Sequence, residues 1–460
     1  MSHSKEERIK VTFDKKELQN RICKFSFREA RRHAGDLYKA LVQELREDGC
    51  LVSAKYFEFL AAKETDYYLN NVIRDRVMDN ESLLMSLYDN CKMAERSALL
   101  EQCEGMAVTF NLLYQIVALM DEPKYVTKFN WLRRDIYEIV AKISDKVGNG
   151  KANVERPIAM IYLKYGNFLS GENENMNLAL HYYDKAMALA QTHKWITQSN
   201  QPDAHPALMC VHTTIVEQYV AALLKFGKVI AVRDYLQAVG LGQKALCILT
   251  QVGRNVRNLH QFVNIHLHIA EFYIEGEKYE IALAILKTVC DDLSKIDKRH
   301  AEEMTMRFDL NKGICHTSLK QTNEAMQSLK EALKLAQKLQ LQSAEAQIHM
   351  EMGKLYLQQG GSQRNMARNA FLKSKQIYKT LGNMKNSSKN KYFLAQCLSS
   401  AIFPLFMDLM KSSDKYCNLF HLRRWKYQLK PFWRNQHLRS DMDDELKCLM
   451  EEFSRKSTLN

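Results

Sequence analysis

Small residues recur along the chain at a spacing typical of paired helices. In four stretches, a glycine or alanine comes twelve to fourteen positions before an alanine. Tyr183 and Phe371 each follow one of those alanines by four positions. Small residues let two backbones approach closely and large ones fill the space beside them, so we predict that both kinds set the packing of helical hairpins. The small residues are, in pairs, Gly166 and Ala179, Ala270 and Ala282, Gly313 and Ala325, and Gly353 and Ala367.

The period of this pattern predicts an all-α fold, a superhelical solenoid of tetratricopeptide-type helical hairpins. With a more divergent hairpin at Ala245, the second-helix alanines stand at 245, 282, 325 and 367, with spacings of 37, 43 and 42 residues. A standard tetratricopeptide repeat has about 34 residues. Longer helices account for the difference, because each added turn takes about 3.6 residues. We therefore expect extended repeats.

The same patterning divides the chain into five segments. They are a basic N-terminal extension (1–35), a helical cap (36–103), a degenerate repeat (104–143), the tetratricopeptide array (156–380), and a C-terminal helical cap with a basic aromatic tail (381–460). One helix is expected to run from Phe25 to a C-terminal cap at Gly49. The stretch 192–206 is predicted to be a polar loop. The last long helix is predicted to bend at Pro404.

Composition supports a helical, ordered chain that favours acidic partners. Only 17 glycines and 6 prolines occur among 460 residues, and 46% of residues are hydrophobic. That hydrophobic share excludes disorder as the main state. The net charge of +13 favours nucleic acid, an anionic membrane surface or an acidic protein surface such as a microtubule.

Cysteine usage and the N-terminus predict a soluble protein in a reducing compartment. The eleven cysteines include no C-x-x-C pair, so a disulfide framework is not expected. The charged N-terminus has no features of a secretory signal, and no apolar run approaches the roughly 20 residues of a membrane span.

Catalytic and cofactor motifs are absent from the sequence, so we expect neither enzymatic activity nor a cofactor. No phosphate-binding glycine loop, nucleophile elbow or H-E-x-x-H sequence occurs. His266 and His268 stand two positions apart, which points them to different sides of a helix. Ordinary surface or partly buried histidines are therefore expected there rather than a metal site.

The first helices of the repeats are expected to line a groove that binds other proteins. Alignment on the small residues places ten side chains along it: Leu163, Asn167, Asn264, Leu267, Glu271, Arg307, Leu310, Gln347, Met350 and Lys354. An apolar stripe with a mixed polar border suits a partner helix laid along the groove. The alternative, that the apolar members only support repeat packing, stays equally open.

A basic, aromatic segment follows the array. Residues 415–439 contain seven Lys or Arg, six aromatic residues and no acid. Their cations could solvate a capping helix, contact an acidic protein, or accompany stacking on single-stranded nucleic acid. We prefer these readings in that order. The candidate contact residues are Arg423, Arg424, Lys426, Lys430 and Arg434.

Three stretches together resemble the tetratricopeptide repeat protein 29 family. They are ELREDGCLVSAKYFEFLAA, then KMAERSALLEQCEGMAVTFNLLYQIVALM with the helix of Trp131, and the repeat block from Tyr162 to about Tyr378. The N-terminal extension and the basic tail have no counterpart in the resemblance. It implies an axonemal protein of motile cilia and sperm flagella, associated with inner-arm dynein and microtubules and needed for beating.

The expected function is therefore a non-enzymatic scaffold or dynein-associated accessory protein, located on the axonemal cytoskeleton and not inserted in a membrane. Two alternatives remain from the residues. The first is a cytoplasmic adaptor of the motor-cargo or polarity type. The second is an RNA-associated factor that uses the basic segment, although no recognised nucleic-acid module accompanies that segment.

Overall fold

The computed structural model describes residues 26–428 with short gaps, at 71–72, 74, 101–105, 123–124, 126–127, 148–151, 173–174, 193–195, 198–208, 253–257, 297, 361–362 and 412–415. Its described part contains eighteen α-helices and one short strand pair. The chain divides into two compact units, residues 1–218 and 219–460. The predicted all-α fold of stacked hairpins is confirmed, and each unit is described separately below.

The first unit is built from eight helices and the start of a ninth. They are α1 (Phe27–Ala34), α2 (Leu37–Glu47), α3 (Leu51–Leu69), α4 (Glu81–Leu100), α5 (Met106–Met120), α6 (Asn130–Val147), α7 (Ala152–Glu172), α8 (Met176–Thr192) and the first residues of α9 (Val211–Ala231). Successive helices pack on each other from α1 to α8. The stretch predicted to be a polar loop contains β1 (Ile196–Thr197), which pairs antiparallel with β2 (Met209–Cys210).

Capping decides where the first helices begin and end. The expected single helix from Phe25 to Gly49 was wrong, because the chain breaks at Gly35 and Asp36. The side chain of Asp36 accepts a hydrogen bond from the backbone N–H of Tyr38, at 3.1 Å, and so starts a second helix. The predicted end at Gly49 is confirmed, since Gly49 has a φ of +80° just past α2.

Buried carboxylates join the helices of the segment α1–α4, which we call the cap. Glu95 on α4 accepts hydrogen bonds from the backbone N–H groups of Val52 and Ser53 at the start of α3, at 3.0 and 2.7 Å. It also accepts from the Ser53 hydroxyl at 2.6 Å. Glu44 on α2 holds Arg32 of α1 through two hydrogen bonds, of 2.6 and 3.2 Å. Each of these carboxylates therefore fixes one helix against another.

The second unit continues α9 and adds nine helices. They are α10 (Tyr235–Val252), α11 (Leu259–Glu275), α12 (Tyr279–Leu293), α13 (Lys298–Ser318), α14 (Thr322–Lys338), α15 (Gln342–Gln359), α16 (Arg364–Thr380), α17 (Met384–Lys411) and α18 (Tyr416–Gln428). Helices α11 to α16 form three hairpins, which we call the repeat block. The first helix of each hairpin packs on its own second helix and on the first helix of the next, as α11, α13, α15 and α17 show. Stacked tetratricopeptide-type hairpins have this arrangement.

Small residues stand where the hairpins close. Ala270, Ala282, Ala325 and Ala367 have no exposed side-chain surface. A Cβ added at Gly353 would lie 2.6 Å from the Phe371 ring, and one at Gly313 would lie 2.7 Å from Leu329. In the first unit, a Cβ added at Gly166 would meet the Tyr183 ring at 3.2 Å, and Ala179 is buried. A methyl group at these glycines would force the facing side chain to move, so the close approach depends on them.

The turns between helices of the repeat block repeat with the same period as the alanines. Besides Gly360, whose φ of 66° goes with an extended ψ of −163°, four described residues of these turns adopt a left-handed conformation: Glu277, Lys320, Gln340 and Gly382, with φ of 58°, 61°, 55° and 70°. In each case the next residue's N–H bonds back to a carbonyl in the preceding helix, at 2.8–3.0 Å. This is a Schellman-type helix end. Spacings of 43 and 42 residues relate the equivalent turns, so backbone geometry and side-chain packing share one period.

Helix α17 bends by 42° between Met384–Ser400 and Ile402–Lys411. Pro404 lies inside the helix and cannot bond to the carbonyl of Ser400, which explains the predicted bend. Within the described residues, no single helix is long and apolar enough to cross a membrane, and these two bent segments meet that test only when taken together.

The five predicted segments do not coincide with the two compact units. The unit boundary falls after Gln218, inside α9, and so lies within the segment predicted as one array from 156 to 380. The basic extension 1–25 and the tail beyond residue 428 lie outside the described residues.

Candidate functional site

A hollow of about 770 Å³ opens in the second unit on the side of the first helices. It is lined by residues of α9, α11, α13 and α15 and by the turn between α14 and α15. Four of the ten predicted groove residues line it: Glu271, Arg307, Leu310 and Gln347. The hollow is therefore the place in this unit where the predicted groove chemistry comes together.

The hollow has an apolar floor. Phe272, Met306 and Leu310 line it with exposed fractions of 1%, 3% and 5%. Met306 and Leu310 belong to the core between α13, α14 and α15. The floor is thus held rigidly by repeat packing.

Arg307 links two first helices beside this floor. Its guanidinium donates to Asn264 Oδ1 at 2.7 Å and to Glu271 Oε1 at 2.6 Å, both on α11. The second carboxylate oxygen of Glu271 lies 2.7 Å from Nδ1 of His268. The positive charge of Arg307 is therefore compensated within the site, and α13 is tied to α11.

Burial and charge together set the protonation of this network. Burial alone raises the pKa of Glu271, but the His268 hydrogen bond and the Arg307 charge outweigh it and lower this pKa to about 2. Burial lowers the pKa of His268, against the opposing effect of Glu271. Desolvation also lowers the pKa of Lys228 on α9. Glu271 is consequently a fixed anion near neutral pH, and His268 is a neutral ring.

Asn311 on α13 has an amide that the protein does not satisfy. Its side chain is 4% exposed and lines the hollow, and its Nδ2 has no hydrogen-bond partner in the described structure. A buried unpaired donor costs roughly 1–3 kcal/mol. A ligand that offered an acceptor oxygen there would remove that cost.

The apolar stripe expected along the groove needs correction. Its four members are buried, with exposed fractions of 2% for Leu163, 0% for Leu267, 5% for Leu310 and 8% for Met350. Leu267 lies in the core between α11, α12 and α13, and Met350 in the core with α16 and α17. This equivalent position of the first helices points into the hairpin stack, so packing is the interpretation that the geometry supports. Only Leu310 also reaches the hollow.

Of the three remaining groove residues, only Gln347 lies at the hollow. Asn167 in the first unit accepts from the Tyr183 hydroxyl and donates to Gln218, each at 2.5 Å. Lys354 donates to Glu351 at 2.8 Å and lies over the Phe393 ring. Gln347 is exposed on α15 at the hollow. The structure therefore does not bring Asn167 or Lys354 to the hollow.

The basic segment is described in part. Arg423, Arg424 and Lys426 lie on α18, whereas Lys430 and Arg434 lie outside the described residues. Arg423, Lys426 and Trp425 line a separate hollow of about 650 Å³ between α17 and α18. These cations border an apolar surface, on which Phe403 is 59% and Tyr427 75% exposed.

Sequence reasoning missed the polar residues that distinguish the hollow. Asn311, Lys228, Glu275 and Glu303 line it but were not among the predicted site residues. Asn311 directly follows the predicted Leu310, and an asparagine inside a helix is itself a signal, because asparagine disfavours helix interiors. In the described part of the chain, no cluster of His, Cys, Asp and Glu could hold a metal ion.

No protein-family model matches the chain, and no curated protein matches it. Solved structures give weak matches. BtubC (BKLC) from P. vanneervenii is 12% identical with a TM-score of 0.31, over 59% of this chain and 92% of that one. The apo form of RapI is 12% identical with a TM-score of 0.38, over 63% and 97%. Aspartyl phosphate phosphatase F from Bacillus subtilis is 11% identical with a TM-score of 0.35, over 81% and 94%. Similarities at this level carry no argument about function.

Proposed function

We propose that this protein is a non-enzymatic scaffold whose second unit binds a segment of a partner protein in the hollow. The observation that carries the proposal is the hollow itself, about 770 Å³ across successive first helices, with an apolar floor and a polar border. Binding clefts commonly combine a mostly apolar lining with a few placed polar groups. Rigid stacking of hairpins holds such a surface in one shape, which suits alignment of partners rather than chemistry.

The titratable groups of the hollow support a binding role over acid–base catalysis. A general base works best with a pKa near the operating pH. Glu271 has a pKa of about 2 and is bonded to Arg307, and His268 is occupied by Glu271. Neither group is therefore suited to take up and release a proton near neutral pH, whereas both are suited to fixed contacts with a ligand.

The axoneme of motile cilia and sperm flagella is our proposed location, with inner-arm dynein and microtubules as partners. The resemblance to the tetratricopeptide repeat protein 29 family supports this part of the proposal. The net charge of +13 fits contact with acidic tubulin. Contact through charge predicts that added salt weakens it strongly, since the Debye length is about 8 Å at physiological ionic strength.

The test is a full-length tagged protein expressed in multiciliated cells, compared with a Gln347→Trp variant that fills the hollow. Gln347 is exposed, so the change should leave the fold and its thermal melting intact. The matched control is Gln358→Trp, exposed near the end of the same helix. We expect axonemal localisation for the normal protein and the control, with loss of co-purified dynein subunits for Gln347→Trp.

Two results would contradict the proposal separately. Equal recovery of partners by Gln347→Trp and the normal protein would show that the hollow is not the binding site. A diffuse cytoplasmic distribution in ciliated cells would replace the axonemal role with the cytoplasmic adaptor.

A further inference from the structure

The polar groups that line the hollow differ in whether the protein already satisfies them. Arg307 and Glu271 bond to each other, and Arg307 also bonds to Asn264 beside the hollow. Asn311 Nδ2 is buried and unpaired, and Gln347 on the next first helix presents an exposed amide. We propose that the hollow binds an extended peptide segment that carries a lysine or arginine, with its main chain held by Asn311 and Gln347. This inference rests on the proposed function and names the chemistry of its ligand.

The unpaired amides favour an extended main chain over a helix. A partner helix has already used its carbonyl oxygens in its own i→i−4 hydrogen bonds, so its interior offers no free acceptor to Asn311. An extended segment leaves its carbonyls free. Adjacent packed helices lie roughly 8–10 Å apart, and an extended chain rises about 3.3 Å per residue. Asn311 on α13 and Gln347 on α15 would thus bind carbonyls about three residues apart.

The uncompensated charges of the hollow favour a cationic side chain. Arg307 and Glu271 form an ion pair and neutralise each other. Three other charged residues line the hollow, and the described structure records no hydrogen bond or ion pair for them: Lys228, Glu275 and Glu303. They sum to one negative charge. Glu275 is moreover the last residue of α11, where the helix dipole disfavours a carboxylate. A lysine or arginine of the ligand would relieve that repulsion.

The floor sets a third requirement. Phe272, Met306 and Leu310 form its apolar surface, close to the amides. Alternate side chains of an extended segment point to opposite sides. An apolar side chain should therefore enter the floor within a residue or two of the lysine or arginine.

Asn311→Leu tests the amide directly, because stability and binding should respond in opposite directions. Leucine has the same number and branching of side-chain heavy atoms as asparagine and removes the unpaired donor, so the melting temperature should stay unchanged or rise. Peptide binding should weaken about tenfold, the cost of one lost hydrogen bond to a buried group. If Asn311 were only structural, the melting temperature would fall and binding would not change.

The probe is a phage-displayed library of random dodecapeptides, selected on the full chain. Enriched peptides are then labelled with fluorescein and titrated by fluorescence anisotropy. We expect enriched sequences to hold one lysine or arginine near an apolar residue, to tolerate proline, and to lose about tenfold in affinity with Asn311→Leu. The double change Glu275→Gln and Glu303→Gln should weaken binding about fivefold at low salt. The matched control, Glu280→Gln on the exposed side of α12, should bind normally.

The outcomes separate this inference from the proposed function. Enrichment of amphipathic helical peptides that Gln347→Trp blocks would overturn the extended mode while leaving the hollow as a protein-binding site. Enrichment of acidic peptides would overturn the charge assignment in the same way. If no enriched peptide depended on the hollow at all, both the inference and the proposed function would fail.

Discussion

The cap and the repeat block are both helical, but they are held together differently. In the cap, Glu44 and Glu95 each cross from one helix to another and bond to specific donors while fully buried. In the repeat block, Gly313 and Gly353 allow close approach, and alanines fill the contacts. Packing in the cap thus depends on individual hydrogen bonds, whereas packing in the repeat block depends on the sizes of the facing side chains. A contact of the second kind can be copied from hairpin to hairpin, because it requires no special partner.

The largest difference between the two regions should appear at Glu95. Glu95→Ala leaves two backbone N–H groups without an acceptor, whereas the Ser53 hydroxyl keeps the Cys91 carbonyl at 3.1 Å. Each buried unsatisfied group costs about 1–3 kcal/mol. We therefore expect the free energy of unfolding to fall by roughly 4 kcal/mol, after partial relief by water. Urea unfolding measures the loss, and hydrogen exchange at the start of α3 locates it. The control Glu58→Ala removes an exposed ion pair with Arg46 and should cost under about 1 kcal/mol. Equal losses would show that buried carboxylates do not hold the cap.

Asp309 tests what a buried carboxylate does without such partners. It lies on α13 with 9% exposure, and burial followed by the Glu331 charge raises its pKa to about 6. A raised folded pKa means that ionisation opposes folding, so stability should fall as pH rises from about 4 to 6. Asp309→Asn should then raise the free energy of unfolding by roughly 2–3 kcal/mol at pH 7, and hardly change it near pH 3.5. Thermal melting across this pH range measures it. A gain independent of pH would contradict the assignment.

Gly353 and Gly240 separate close packing from helix propensity. Gly353→Ala puts a methyl group 2.6 Å from the buried Phe371 ring, so we expect a loss of roughly 2 kcal/mol from overpacking. Gly240 lies in α10 with nothing within 4 Å of an added Cβ. Gly240→Ala should therefore gain about 0.5–1 kcal/mol from propensity alone. Chemical unfolding of both variants decides the sign, and a gain at both sites would remove the close-approach argument.

The smallest predicted effect concerns the turns of the repeat block. Lys320 adopts a φ of 61°, which glycine adopts without steric cost. Lys320→Gly should therefore raise the free energy of unfolding by a few tenths to about 1 kcal/mol. The same change at Lys287, exposed in the middle of α12, should lose about 1 kcal/mol. If both changes destabilise the protein equally, the left-handed turn contributes no strain.

The regular part of the fold was predictable because its physics is periodic. Gly166, Gly313 and Gly353 stand where helices approach, and their spacing of twelve to fourteen positions to the next alanine indicated the hairpins. The break at Gly35 and Asp36 was not predicted. There a local cap competed with a continuous apolar pattern, and a single aspartate decided the outcome. The cap carboxylates were missed because a glutamate at a buried helix position has the same sequence spacing as one facing water.

The candidate site was predictable in composition but not in exposure. Glu271, Arg307 and Gln347 were placed at the groove from helical position, and they line the hollow. Of the two open interpretations of the apolar positions, burial favours repeat packing. Periodicity could not decide between them, because it gives the side of a helix, whereas the depth of a side chain depends on the hairpin that packs over it. Asn311 illustrates the limit. Its importance lies in a hydrogen bond that is absent, and only coordinates can reveal it.

The glycine contacts have a consequence for how such repeats can diverge. Gly166, Gly227 and Gly353 each face an aromatic ring, from Tyr183, Phe272 and Phe371 respectively. One partner is as small as a residue can be because the other is large. Either member can therefore change only if its counterpart exchanges volume in the opposite direction. Two repeats with little sequence identity can in this way keep the same interhelical distance, because compensating substitutions replace both members of a pair together.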